Sequence, residues 1–309
     1  MNPNAVLRLV RVSLFASAIG DPWLGYVLGG GGSWVAALGI ALSSLCVYHG
    51  GMALNDWADR EVDRRSGRAR PLTRGTLTEG QALGIAIGLL AAGLLVPLAF
   101  GMPPLALGCI GLAALAAVLY DLWGRGPVRG PLLLATARGA NLAFGAAAAG
   151  GLAGSALFAV GVYALLVFWI SRLGRFEDGE AELASAPAAP SQLLQRIAGV
   201  LVLGPFLVAV AWYASADGRS APPATWLAMA LAWLLVVRHG GLLRRLAGRD
   251  RWAPADVERV MGPCLGSLGL FTLAGLLAVA TTPLAGALAL ALFAAQRTGR
   301  HLMRHFPPS

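Results

Sequence analysis

Asn55-Asp56-Trp57-Ala58-Asp59-Arg60-Glu61-Val62-Asp63 closes an apolar run that begins near residue 33, and its acids decide how the rest of the chain is read. A helix continued out of that run sets Asn55, Asp59 and Asp63 at i, i+4, i+8, and Asp56 with Asp59 and Asp63 at i, i+3, i+7. One face then carries three carboxylates and an amide. Like charges one turn apart repel by roughly a few tenths of a kcal/mol per pair, so the stripe implies a counter-charge. Hard oxygen donors suit a divalent cation, and magnesium carrying a bound phosphate group fits best. Asn55, Asp56, Asp59 and Asp63 are the candidate metal ligands.

Outward from this stripe the chain is apolar. Of 309 residues 57% are hydrophobic and 13% charged, with a mean hydropathy of +0.68. This composition implies an all-α, polytopic integral membrane protein. Apolar runs cover 12–30, 33–55, 80–100, 103–123, 131–152, 154–171, 196–214, 223–243, 257–280 and 282–296, most near the roughly 20 residues a bilayer span needs. The last is short, so nine or ten crossings are expected. The first lacks a signal-peptide pattern and is read as a retained helix. No polar stretch is long enough for a soluble domain, and residues 1–309 read as one membrane domain.

The formal net charge of +9 does not point to nucleic acid, because the cations mark topology. All are arginine. Most precede the first run, fill the gaps after the second, fourth, sixth and eighth, or lie in the tail, whereas the gaps near 31, 102, 152 and 281 carry no charge and that near 215–222 holds only Asp217 and Arg219. The positive-inside rule puts the N-terminus and the arginine-rich loops on the cytoplasmic side, in the plasma membrane of a bacterium. Cys46, Cys109 and Cys264 lie far apart in apolar segments and read as small core residues. Polar residues also lie within the spans. Asp21 beside Pro22 either binds a substrate or caps a kink, and His49 either lines a substrate site or makes an interhelical hydrogen bond.

Val47 through Asp63, followed by Arg70-Pro71-Leu72-Thr73-Arg74-Gly75, resembles the first signature of the UbiA superfamily of intramembrane prenyltransferases, where an NDxxDxxxD motif closes the second span and an Arg-Pro loop follows. Tyr120 to Arg125, Gly130-Pro131 and Arg138-Gly139-Ala140-Asn141 are similar to that family's Tyr-x-x-x-Lys region and Arg-x-x-Asn helix. The spacing resembles the EboC-like branch in particular. The likeness runs in order to about residue 180 and continues only as hydropathy. Two departures stand out. The lysine is replaced by Arg125, one position further on, and the second Asp-rich motif is replaced by Arg175-Phe176-Glu177-Asp178-Gly179-Glu180-Ala181-Glu182, in which Asp178 and Glu182 keep an i, i+4 spacing.

The resemblance implies a magnesium-dependent transfer of a prenyl group from an isoprenyl diphosphate to an electron-rich, hydrophobic or aromatic acceptor in the membrane. Arg70, Arg125, Arg138, Asn141 and Arg172 are then the diphosphate contacts. Tyr120, Asp21 and His49 are the candidate catalytic groups, and Asp178 with Glu182 form a second candidate metal pair. Loops 56–79 and 172–195 would cap the site. Neither nucleic acid nor an obligate protein partner is expected beside membrane lipid. The altered second motif leaves an alternative, a relative with lost or changed chemistry that binds or moves lipids or small molecules.

Overall fold

A bilayer offers no partner to a backbone N–H or C=O, so a chain of this composition must satisfy its backbone within helices. The computed structural model describes residues 2–124, 126–152, 154–177, 179–215, 223–249 and 251–306, with the backbone alone at 180–182. The described residues form thirteen α-helices and no strand. The ten apolar runs become α2 (Phe15–Leu28), α3 (Trp34–Ala58), α5 (Glu79–Ala99), α6 (Pro104–Trp123), α7 (Arg129–Ala148), α8 (Ser155–Gly174), α10 (Ala189–Ala214), α11 (Pro223–Ala247), α12 (Pro254–Ala278) and α13 (Pro283–Leu302). Short helices α1 (Pro3–Leu9), α4 (Arg60–Ser66) and α9 (Glu180–Ser185) lie in the polar stretches. Among the described residues, seven helices are long and apolar enough to cross a membrane: α3, α5, α6, α8, α10, α11 and α12. The other three are weaker spans for visible reasons: α2 is short, α7 carries Arg129, Arg138 and Asn141, and α13 ends in Arg297 and Arg300.

The acidic stretch does not run on as one straight helix. Asp59, at φ −87° and ψ 0°, is a joint between α3 and α4, although Asp59 N still donates to Asn55 O and Asp63 N to Asp59 O, each at 2.9 Å. Gly67 ends α4 at φ +69°, a left-handed value that costs glycine little. The chain then turns back. Leu72 and Leu77 bury themselves with Leu9 of α1, Leu54 of α3 and Ala82 of α5, which pins the arginine-rich loop to the bundle.

Two prolines inside helices show how the bundle settles its backbone. Pro22 lacks the N–H that would bond Ala18 O, and that carbonyl instead accepts from Ser44 Oγ at 2.7 Å and Asn141 Nδ2 at 3.4 Å. Pro97 likewise releases Gly93 O, which accepts from Ser43 Oγ at 2.6 Å. Each freed carbonyl thus becomes a link between helices.

α2 lies against α7 with the two backbones touching. A side chain at Gly25 would collide with the Leu142 carbonyl, and one at Gly145 with the Pro22 carbonyl. This approach seats Asp21 beside α7. Gly25→Leu should therefore cost about 3 kcal/mol by overpacking. It would be read as a lowered melting temperature in detergent, while Gly84→Leu on α5, which meets open space, leaves the melting temperature unchanged.

Candidate active site

The helices enclose a cavity of about 1180 Å³ whose lining is mostly apolar. Its polar groups include Arg11, Asn55, Tyr120 and Asp121, and also Ser17, Tyr48, Arg138 and Asn141. Arg11 sits between α1 and the 3-10 turn Val12–Leu14 at φ +49° and ψ 53°, the one non-glycine residue at positive φ among the described residues. Such a backbone persists only where its surroundings hold it. Here Arg11 Nη2 reaches Asn55 Oδ1 at 3.2 Å and Asp56 Oδ1 at 3.0 Å.

Arg70 enters the same cluster from the loop after α4. Its Nη1 bonds Asp56 Oδ1, and its Nε lies 3.0 Å from Asp63 Oδ2, with Asp56 and Asp63 each 1% exposed. Burial pushes the Asp63 carboxyl above its ordinary range, and the Arg70 guanidinium opposes that rise. Asn55 Nδ2 faces two further acids, Asp121 Oδ1 at 3.1 Å and Asp59 Oδ2 at 3.4 Å. The acids of the stripe thus alternate with guanidinium groups, because buried carboxylates take the nearest cation. Among the described residues no three of His, Cys, Asp and Glu converge into a ready cage. The donor set still suits a hard cation: all its members are oxygens or an amide, and Asp56 Oδ2 is buried without a hydrogen bond.

A second network sits on α2, α7 and α8. Arg138 Nε lies 3.0 Å from Asp21 Oδ2, and its Nη2 donates to Asp21 Oδ1, Ser17 Oγ and Tyr163 Oη at 3.1, 2.7 and 3.0 Å. Tyr163 Oη in turn donates to Asp21 Oδ1 at 2.6 Å. An arginine in mid-span is costly unless paired, and here Asp21 supplies the counter-charge. Asp21 thus answers Arg138 and does not cap the kink, since Ser44 and Asn141 serve the carbonyl freed by Pro22. Arg138 also lies 5.6 Å from the Tyr48 ring centroid, on the cavity.

The other expected site residues divide. Tyr120 lines the cavity, with the Arg175 guanidinium 5.7 Å from its ring, and Arg175 Nη2 donates to Gly124 O at 2.7 Å. Asn141 lines it as well, its Oδ1 buried without a hydrogen bond. Arg172 lies over the Phe176 ring at 5.5 Å. His49 faces Val10 O at 2.6 Å and does not line the large cavity. Arg125 and Asp178, and the side chain of Glu182, lie outside the described residues. Sequence reasoning missed Arg11, which looked like a topology arginine, and Tyr163, which looks like any helix aromatic. Asp121 carried a signal that was passed over, an acid at the end of an apolar run.

Residues 13–255 match the family model of the UbiA prenyltransferase family. The chain belongs to that family. It is 32% identical over 247 residues to the digeranylgeranylglyceryl phosphate synthase of Halobacterium salinarum, covering 76% of this chain and 83% of that protein. With the protoheme IX farnesyltransferase of Cereibacter sphaeroides it shares 30% identity over 241 residues, 73% of this chain and 81% of the relative. A solved UbiA homolog from Archaeoglobus fulgidus, bound to DMAPP and Mg2+, superposes with a TM-score of 0.61 at 17% identity over 90% of this chain and 99% of its own, a likeness of fold. None of these relatives bears on the EboC-like branch. As a UbiA-type prenyltransferase and an integral membrane protein, the chain gives its intramembrane polar residues a catalytic setting.

Asp21→Ala leaves Arg138 buried without its counter-charge and should cost about 3–5 kcal/mol. A melting curve in detergent reads it, and recovery in the double change Asp21→Ala with Arg138→Met distinguishes a lost pair from a lost cavity wall.

Proposed function

We propose that this UbiA-type enzyme moves a prenyl group from an isoprenyl diphosphate to a hydrophobic or aromatic acceptor inside the bilayer, with its diphosphate end at Asn55, Asp56, Asp59, Asp63 and Asp121. The observation that carries this is one apolar cavity whose wall gathers Arg11, Asn55, Tyr120, Asp121 and Arg138. Four carboxylates, of Asp56, Asp59, Asp63 and Asp121, gather there and offer the hard oxygen donors that a divalent cation takes. Such carboxylates would repel a bare diphosphate. Magnesium held by these oxygens would offset that repulsion and, as a Lewis acid, stabilise the charge that collects on the leaving pyrophosphate.

The chain's own residues account for the rest. Arg11, held by Asp56 on the cavity wall, would donate to phosphate oxygens, with Arg70 behind it in the same cluster and Arg172 as a further candidate. The allylic C–O bond breaks with its electron pair leaving on pyrophosphate; the acceptor's electron pair forms the new bond to the allylic carbon, and the acceptor loses a proton. Tyr48 and Tyr120 turn aromatic faces to the cavity, where cationic character on the prenyl group would be eased, and the apolar walls exclude water. Arg138 and Asp21 act as a positioning pair behind Tyr48. The pinned loop with Leu72 and Leu77 supports a cap over the site.

Asp59→Asn should abolish turnover of geranyl diphosphate and its magnesium-dependent binding, by at least a hundredfold, while the melting temperature holds. Scintillation counting of labelled geranyl diphosphate bound with and without magnesium measures this. Full binding in the variant would sink the assignment of the diphosphate end. The site is assigned to the cytoplasmic side of the plasma membrane. A cysteine placed at 66 or 248, in a chain whose Cys46, Cys109 and Cys264 are replaced by alanine, should react with a membrane-impermeant maleimide only in inverted vesicles.

A further inference from the structure

Arg11 has a Cβ, and left-handed backbone is disfavoured for such a residue. The chain nevertheless leaves α1 through that conformation, at φ +49° and ψ 53°. The side chain shows what the turn achieves: besides Asn55 and Asp56, it reaches Met52, whose Sδ accepts from Nη1 at 3.6 Å. Relaxation of Arg11 to a right-handed backbone would carry α1 onward and redirect the guanidinium. The turn therefore needs a grip on its backbone that the side-chain contacts alone do not give.

That grip comes from both sides. Immediately before Arg11, the Val10 carbonyl lies 2.6 Å from His49 Nδ1, and since a carbonyl can only accept, Nδ1 carries the proton. Helix-end carbonyls lack partners within their own helix, so this bond answers a group that the turn leaves open. His49, Met52 and Asp56 stand at i, i+3, i+7 on α3, so a single helix face takes both the backbone and the side chain of the Arg11 segment. Two residues after Arg11, Ser13 is 1% exposed, and its Oγ donates to Phe306 O at 2.9 Å, a partner 293 residues away. Phe306 lies in the turn that follows α13, folded by bonds from His305 N and Phe306 N to Leu302 O at 3.0 and 2.7 Å. Gly299 of α13 passes flush over the same segment: a methyl group there would come within 2.7 Å of the Ser13 carbonyl oxygen. Because that neighbour is backbone, the turn itself would have to shift.

We propose that His49, Ser13 and Gly299 are positioning residues that hold Arg11 in its left-handed turn and so aim its guanidinium at the diphosphate end of the cavity. The grip rests on the contacts just given, and its consequence for the donor rests on the prenyl-transfer reading. None of the three touches the donor in this account; each acts through Arg11. A segment near residue 300 thereby tunes a site built from residues 11 and 55–63, and the buried hydroxyl of Ser13 and the imidazole of His49 both gain a use.

Two readouts on the full chain in phosphatidylcholine nanodiscs test this. Hydrogen exchange of the peptide spanning residues 8–16, followed by mass spectrometry, needs no ligand. His49→Leu, Ser13→Ala and Gly299→Ala should each speed its exchange about tenfold, because the local opening becomes easier. His49→Asn, whose amide N–H can stand where Nδ1–H stands, should restore slow exchange. Gly286→Ala, on α13 in open space, should leave both readouts unchanged. Ser13→Ala removes a single oxygen atom and keeps the test open should His49→Leu fail to fold. The second readout is equilibrium binding of labelled geranyl diphosphate with magnesium. Each of the three loosening changes should weaken it about fivefold when Arg11 is present and leave it unmoved in an Arg11→Gln background, the coupling expected of residues that act through one another. Unchanged exchange in all three variants overturns the proposal. So does faster exchange with unchanged donor affinity, since the contacts would then be packing alone, and so does a loss of affinity that is equal with and without the Arg11 side chain. A wild type that never binds geranyl diphosphate sinks the donor reading, and the exchange comparison then decides by itself whether the grip on Arg11 stands.

Discussion

A guanidinium placed in the middle of a bilayer span must be answered from within the protein, and Arg138 against Asp21 is where this bundle meets that demand. The pair joins α7 to α2, and Tyr163 extends it to α8, so three helices are fixed about one charge-assisted network. The approach of α2 to α7 that allows it depends on Gly25 and Gly145, which bring two backbones into contact. Pro22 adds a consequence. By releasing Ala18 O it gives Asn141 and Ser44 a common acceptor, so the same kink that shapes α2 also orients an amide on the cavity wall. Packing and site are here a single arrangement.

Much of the fold was legible because hydropathy has only one meaning at this composition. Ten apolar runs became ten helices, and the uncharged gaps became tight turns, as a solvent without hydrogen-bonding groups requires. The acidic motif was legible as a site but not as a geometry. A helical wheel treats residues 55–63 as a rigid cylinder, whereas Asp59 bends the chain and Arg11 and Arg70 enter between the acids. Arg11 comes from 45 residues before Asp56, and no local pattern announces such a contact. Tyr163 was invisible for a similar reason: its role is defined by the pair it bonds, and its own neighbours in sequence are ordinary helix formers. His49, for which two readings stood open, has its ring at the Val10 carbonyl.

The way the charges are held at the diphosphate end bears on selectivity. Arg11 and Arg70 are restrained by Asp56 and Asp63, so their reorganisation on binding a diphosphate is small, but the acids around them make the bare end repel anions. A donor would therefore enter with its cation, as a nearly neutral unit, which also lowers the cost of passing an apolar wall.

An enzyme that forms a reactive allylic centre in a membrane has to keep water away from it while admitting two partners. If both partners were recognised by their apolar parts alone, bilayer lipid would compete at every turn, since a hydrocarbon tail gains nothing on leaving hydrocarbon for a greasy cavity. Recognition must then rest on head groups, because only charge and hydrogen bonding distinguish a substrate from its solvent in this setting. The acids and paired arginines at the cavity wall follow that logic. Apolar tails fill the rest, and Tyr48 and Tyr120 face the ground where they would meet.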